Sequence, residues 1–163
     1  MVTTETFPNI SGQDSAKRVL DFFCNGFQQT KVMPHLMFVA PKGCGKTTMA
    51  KAVARTLKGI DDAKRYFEIN CSTIKNVKQF FNQLVIPLMQ DRDATILFDE
   101  ASEIPRDVSM ALLTILNPNA ENRTSFTFDD YTIDFDFSRL TFMFATTETQ
   151  SVFHALMDRC ERI

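Results

Sequence analysis

A chain of 163 residues with 44% hydrophobic and 23% charged content is long enough for one domain with its own core and leaves little room for two. Its net charge near −2, with acids and bases interspersed, excludes a generally basic nucleic-acid-binding surface, so any such contact has to be local. No apolar stretch approaches the ~20 residues of a membrane span, and Cys24, Cys44, Cys71 and Cys160 stand far apart with no secretory leader; a reduced, cytoplasmic (intracellular) protein without a membrane partner is expected.

From the N-terminus, the first clear element is an apolar run, Leu36-Met37-Phe38-Val39-Ala40, with the length and composition of a buried strand. It runs into Pro41-Lys42-Gly43-Cys44-Gly45-Lys46-Thr47-Thr48. Gly43 and Gly45 let the backbone turn its N–H groups toward an anion. Lys46 adds a point charge, and Thr47 offers a hydroxyl for Mg²⁺ where a helix over Lys46–Leu57 begins. The spacing therefore predicts a loop that cradles phosphate. Ala40 stands where the usual pattern has its first glycine, a small loss, because Gly45, Lys46 and Thr47 are the residues that touch phosphate.

A second strand is expected over Tyr66–Asn70, then a helix over Ile74–Met89 carrying Val77, Phe80, Phe81, Leu84 and Val85 at helical spacing. The third apolar strand, Ala94–Phe98, ends in Asp99-Glu100, about fifty residues beyond the loop. In a parallel sheet this sets carboxylates at the C-terminal edge, where ligands bind. Asp99 is expected to hold Mg²⁺ through its water shell, and Glu100 to orient or deprotonate an attacking water. A helix over Val108–Leu116 follows Pro105. From Phe126 to Phe137 apolar and polar residues alternate, which predicts a β-hairpin turning at or near Asp129-Asp130.

Strand Leu140–Ala145 and a helix over Val152–Arg159, capped by Ser151, complete the chain. The alternation predicts an α/β fold: a three-layer P-loop NTPase sheet of parallel strands flanked by helices, with the hairpin inserted. Neither His35 nor His154 has a second His or Cys at ligand spacing, so neither suggests a metal site.

In order, Phe7-Pro8-Asn9-Ile10-Ser11-Gly12-Gln13, the loop, Asp99-Glu100, Ala145-Thr146-Thr147 and Asp158-Arg159 resemble the motifs of an AAA+ ATPase, across nearly the whole chain. Within that superfamily the hairpin, Phe144-Ala145-Thr146-Thr147-Glu148 and Leu156-Met157-Asp158-Arg159 are most similar to RuvB-type Holliday-junction branch-migration motors. Asp158-Arg159-Cys160 also resembles the end motif of clamp-loader ATPases.

The resemblance implies ATP and Mg²⁺ as cofactors and a role for each matching residue. Ile10 and Gly12 would line the adenine pocket, and Pro41, Lys42, Gly43, Cys44, Gly45, Lys46, Thr47 and Thr48 would hold the phosphates. Thr47 and Asp99 would serve the metal. Thr146 would sense the γ-phosphate or attacking water, Asn70 would restrain Glu100 until a ligand arrives, and Arg159 would act in trans on a neighbour's nucleotide.

The implied function is the ATP-hydrolysing core of a RuvB-like DNA motor in recombination, repair or replication. A clamp-loader subunit and a non-hydrolysing, nucleotide-dependent assembly subunit are the alternatives. Expected partners are neighbouring ATPase subunits in a ring, DNA through domains outside this chain, and a protein at the hairpin, whose Asp129, Asp130, Asp134 and Asp136 would repel phosphates. Residues 1–163 read as one large nucleotide-binding subdomain. A helical lid and a winged helix are expected to be absent, so slow turnover is expected of the isolated chain.

Overall fold

The computed structural model describes residues 14–90, 92–116, 123–128, 131–137, 139–147, 152 and 154–163. Helix α1 (Asp14–Thr30) opens the described chain and buries Leu20, Cys24 and Phe27, a 3–4 residue repeat that marks one apolar stripe. It stops at Lys31, whose left-handed backbone (φ 59°) returns its N–H to the Phe27 carbonyl at 2.9 Å. Strand β1 (Leu36–Val39), helix α2 (Lys46–Ile60) and strand β2 (Arg65–Asn70) follow.

A 3₁₀ turn (Cys71–Thr73) leads to helix α3 (Val77–Phe80), which begins later than the apolar pattern suggests. Asn76 sets the start, its side chain accepting the Gln79 N–H at 2.9 Å, while Asp107 accepts the Val77 N–H at 2.9 Å. The helix continues over Phe81–Met89 in π form, with Pro87 inside it. Proline has no N–H to give and its ring crowds the preceding turn, so the wider coil, closed by Gln90 N–H to the Val85 carbonyl at 2.8 Å, accommodates it.

Strand β3 (Ala94–Asp99), a 3₁₀ turn (Ala101–Glu103), helix α4 (Arg106–Leu116), strands β4 (Arg123–Phe128) and β5 (Tyr131–Asp136), strand β6 (Leu140–Thr146), helix α5 (His154–Asp158) and strand β7 (Glu161–Arg162) complete the order. Helix α5 is shorter than expected, and its expected cap Ser151 lies outside the described residues.

The main sheet has the order β2-β3-β6-β1-β7, with every pairing parallel. Its central strands β3 and β6 are buried almost end to end, which explains their unbroken apolar sequence. Helices α1 and α2 pack Leu20, Phe27, Met49, Val53 and Leu57 against one face. On the other face Phe80, Phe81, Val108, Leu112 and Leu156 meet Phe98, Phe142 and Phe144. The Phe98 and Phe144 rings stack at 5.0 Å, so much of the phenylalanine content serves this core.

Strands β4 and β5 form a separate antiparallel pair, with Phe128 opposite Tyr131 and Arg123 opposite Asp136. The expected hairpin is therefore present, beginning at Arg123. Its turn residues 129–130 lie outside the described ones. Among the described residues no helix is long and apolar enough to cross a membrane.

Candidate nucleotide site

The parallel order stacks the C-terminal ends of three strands beside the loop that follows β1. Asn70 of β2 is in register with Asp99 of β3, Asp99 with Ala145 of β6, and Thr146 with Val39 of β1. Four strand ends thus form one edge, and the loop folds over it.

Gly43 (φ 87°) and Gly45 (φ 81°) both take the left-handed backbone that bends the loop back toward α2. A Cβ at either position would meet no atom within 4 Å, so the backbone angle, not space, selects glycine there. Gly45 caps α2 and accepts the Met49 N–H at 2.9 Å. Thr47 and Thr48 therefore lie in the first turn of a 15-residue helix, the positive end of its dipole. Lys46 Nζ donates to the carbonyls of Ala40 (2.7 Å) and Pro41 (3.2 Å), holding the ammonium over the start of the loop. Ala40 donates its N–H to the Thr146 carbonyl at 3.3 Å, which joins the loop to β6.

A cavity of about 590 Å³ opens on this edge, lined by the loop residues Lys42, Gly43, Gly45, Lys46, Thr47 and Thr48, by Asp99 and Glu100, and by Thr146. Asp99 is half-buried and Thr146 is buried, while Glu100 is exposed. Glu100 has the left-handed backbone (φ 57°, ψ 55°) that a residue with a Cβ takes only under local constraint. Its N–H donates to Asp99 Oδ1 at 2.9 Å. Ser102, Glu103 and Thr147 also line the cavity and were not anticipated. Glu103 had a signal in the sequence, an acid three residues after Glu100 in a strand-end segment.

Asn70 stands next to Asp99 in register, but its Oδ1 accepts from Ser72 N–H (3.0 Å) and Ser72 Oγ–H (2.9 Å). Among the described residues no hydrogen bond joins it to Glu100. On the other side of the loop Ala16, Val39, Cys44 and Met49 line a smaller, largely apolar cavity of about 60 Å³. Cys44 is exposed there. Ile10 and Gly12, expected at an adenine pocket, lie outside the described residues.

Arg159 lies at the opposite edge of the sheet. It precedes β7, which pairs Glu161 with Leu36 at the N-terminal end of β1, whereas the loop leaves the C-terminal end. It is exposed and makes no ion pair among the described residues, although Asp158 is its neighbour.

Residues 36–163 match the model of the ATPase family associated with various cellular activities (AAA). The chain belongs to this family. Similar proteins include replication factor C small subunit of Saccharolobus solfataricus, 34% identical over 59% of this AAA chain and 31% of that protein. Lon protease homolog, mitochondrial 1, of Dictyostelium discoideum is 29% identical over 93% of this chain and 17% of its own length. The fold is similar to that of the Thermotoga maritima RuvB Holliday junction branch migration motor, with a TM-score of 0.71 at 18% identity, over 93% of this chain and 44% of that one. The AAA chain thus spans less than half the length of each of these proteins.

A nucleotide-binding AAA core fits the donors on this edge. Among the described residues no cluster of three or more His, Cys, Asp or Glu side chains could enclose a metal. A hydrated Mg²⁺ does not need one, since it takes one or two protein oxygens and completes its shell with phosphate and water. Thr47 and Asp99 share the cavity with the loop, as that arrangement requires.

Proposed function

We propose that this AAA chain binds Mg²⁺-ATP at the Gly43–Thr48 loop and hydrolyses it within an assembly in which a neighbouring copy supplies Arg159. The observation that carries this reading is the position of Arg159 across the sheet from its own loop. A guanidinium there cannot serve its own γ-phosphate, yet it is exposed and without an ion pair among the described residues. A delocalised cation supplied from outside can add roughly 10³-fold or more to phosphoryl transfer.

In this reading the loop N–H groups and Lys46 bind the phosphates, and Thr47 and Asp99 hold Mg²⁺. When bound, that ion neutralises phosphate charge and orients the terminal group. Glu100 accepts the proton of the attacking water, Thr146 positions that water or the γ-phosphate, and Asn70 changes partner from Ser72 to restrain Glu100. Residues 1–163 form one large nucleotide-binding subdomain in this reading.

The work driven by hydrolysis is on DNA, in a RuvB-like branch-migration motor. The similarity of fold to RuvB and the hairpin between α4 and β6 support this. The hairpin docks a protein, because its aspartates repel phosphates. A clamp-loader subunit is the second reading, favoured by the 34% identity to a replication factor C small subunit and by the Asp158-Arg159-Cys160 ending.

Steady-state hydrolysis by the full-length assembly separates the two. Stimulation by a four-way junction supports the motor. Stimulation by primed DNA together with a sliding clamp, but not by a junction, overturns the motor in favour of the loader. No stimulation by either rejects DNA as the substrate.

A further inference from the structure

At the N-terminal edge of the sheet, away from the nucleotide cavity, lies a second large cleft of about 490 Å³. Its rim carries three arginines, Arg65 at the start of β2, Arg92 before β3 and Arg139 before β6. Three guanidiniums in one cleft stand out in a chain with a net charge near −2. Among the described residues the one carboxylate lining it, Asp93, is already engaged by the buried Lys64, whose Nζ lies 3.3 Å from Asp93 Oδ1 and also donates to the Ala94 and Arg139 carbonyls at 3.3 and 2.7 Å. Arg65 and Arg92 are exposed and make no ion pair among the described residues.

The lining is not basic throughout. Phe67, Pro87 and Leu88 add apolar surface, and β2 is an edge strand of the sheet. An occupant that satisfies these features is an extended or β-structured segment with carboxylates for Arg65 and Arg92 and apolar side chains for the floor. A nucleic-acid backbone offers the anions but has little use for the open strand edge.

We propose that this cleft receives the β4–β5 hairpin of a second copy of the chain. The hairpin has the required chemistry. Its register sets Phe126 against Ile133, Phe128 against Tyr131 and Thr124 against Phe135, alternating with Ser125 against Asp134 and Arg123 against Asp136. One set of positions is therefore mostly apolar, and the other is polar and carries the carboxylates of Asp134 and Asp136 beside Arg123, Ser125, Thr127 and Thr132. In its own chain the hairpin forms a separate two-stranded sheet and does not extend the main one. The inference rests on the reading of the hairpin as a protein-docking element and names the protein as this one.

The test is a charge swap in the full-length protein with nucleotide and Mg²⁺ present, read by sedimentation velocity. Arg65→Glu with Arg92→Glu is expected to weaken self-association at least 10-fold, as is Asp134→Arg with Asp136→Arg. Combining both pairs is expected to restore it. Because Arg65 and Arg92 are exposed, unchanged melting of the first variant confirms that the fold is intact.

Unaltered self-association, or no self-association in the parent protein, overturns the proposal. So does loss of binding to a labelled oligonucleotide by Arg65→Glu with Arg92→Glu while association is kept, which would assign the cleft to nucleic acid. The underlying reading fails separately: if Asp134→Asn with Asp136→Asn changes DNA binding and no protein contact, the hairpin is not a protein-docking element at all.

Discussion

Asp99 accepts, at Oδ1, a 2.9 Å hydrogen bond from the backbone N–H of Glu100, whose own backbone lies in the left-handed region at φ 57° and ψ 55°. The carboxylate of one residue thus holds the unusual conformation of the next. A side chain with a Cβ pays roughly 1–2 kcal/mol to stay there. That strain sits where β3 leaves the sheet and turns its second acid toward the cavity.

Separating the backbone of Glu100 from its carboxylate gives two opposite outcomes. Glu100→Gly is expected to melt no lower than the parent, because release of the left-handed strain offsets the added freedom of the unfolded chain, roughly 0.4–1 kcal/mol. Glu100→Gln is expected to leave the melting temperature unchanged. Both should retain nucleotide binding, and Glu100→Gln should lower phosphate release by the assembly about 10²–10⁴-fold. A glycine variant markedly less stable than the parent would show that the side chain, and not the turn, anchors this segment.

Two glycines close in sequence are expected to respond with opposite sign. At Gly45 the φ of 81° makes Ala strained although no atom lies within 4 Å of the added Cβ, so Gly45→Ala should destabilise by roughly 1–2 kcal/mol and weaken nucleotide binding. Gly59 lies within α2 with equally open surroundings. Gly59→Ala should therefore stabilise by up to about 1 kcal/mol. Thermal melts of the two single variants check the pair.

Mixing experiments test whether the site is shared between subunits. Arg159→Ala is expected to bind nucleotide as the parent does, yet to hydrolyse it on the order of 10³-fold more slowly. Lys46→Ala should fail at binding. Mixed together, the two inactive proteins should regain activity, since Arg159 of the lysine variant can face the intact loop of the arginine variant. Absence of recovery at every mixing ratio, with mixed assemblies demonstrated, would rule out the shared site.

Stability should fall in mild acid because of His35. Its Nδ1 accepts the Phe142 N–H at 3.2 Å, and burial, with the Lys64 cation nearby, pushes the imidazole down from 6.5 to about 4. The unfolded chain therefore binds a proton more readily than the folded one, and stability rises with pH across this interval. The contribution is complete above about 6.5, declines as the pH drops toward 4, and totals on the order of 3 kcal/mol. His35→Gln, which keeps an acceptor but does not titrate, should flatten the decline in urea denaturation between pH 7 and 4. An equally steep profile would assign it to other groups.

Much of the candidate site is legible in the sequence. The strands containing Leu36–Val39, Asp99 and Thr146 fall within a residue or two of their apolar runs, because an interior parallel strand needs an unbroken apolar stretch and polar residues mark its end. The hairpin was legible from alternation alone, although its first strand begins at Arg123, before the alternation becomes apolar. Helix α1 is not legible in the sequence. Its stripe of Leu20, Cys24 and Phe27 is diluted by exposed Val19 and Phe22, so its apolar face is poorly marked. The π-helical stretch around Pro87 and the two-residue strand β7 left no periodic signal.

The sequence by itself determined which chemical groups are available and roughly where each strand ends, since glycines, a lysine, threonines and acids at those ends are local properties of the chain. It could not determine which ends become neighbours. That followed from the strand order β2-β3-β6-β1-β7, fixed by burial of both sheet faces, which aligns Asn70, Asp99 and Ala145 across one edge and carries Arg159 to the other. The arginine cleft is a product of the same long-range packing. Arg65, Arg92 and Arg139 are far apart along the chain and converge because β2, β3 and β6, which begin at or just after them, lie side by side.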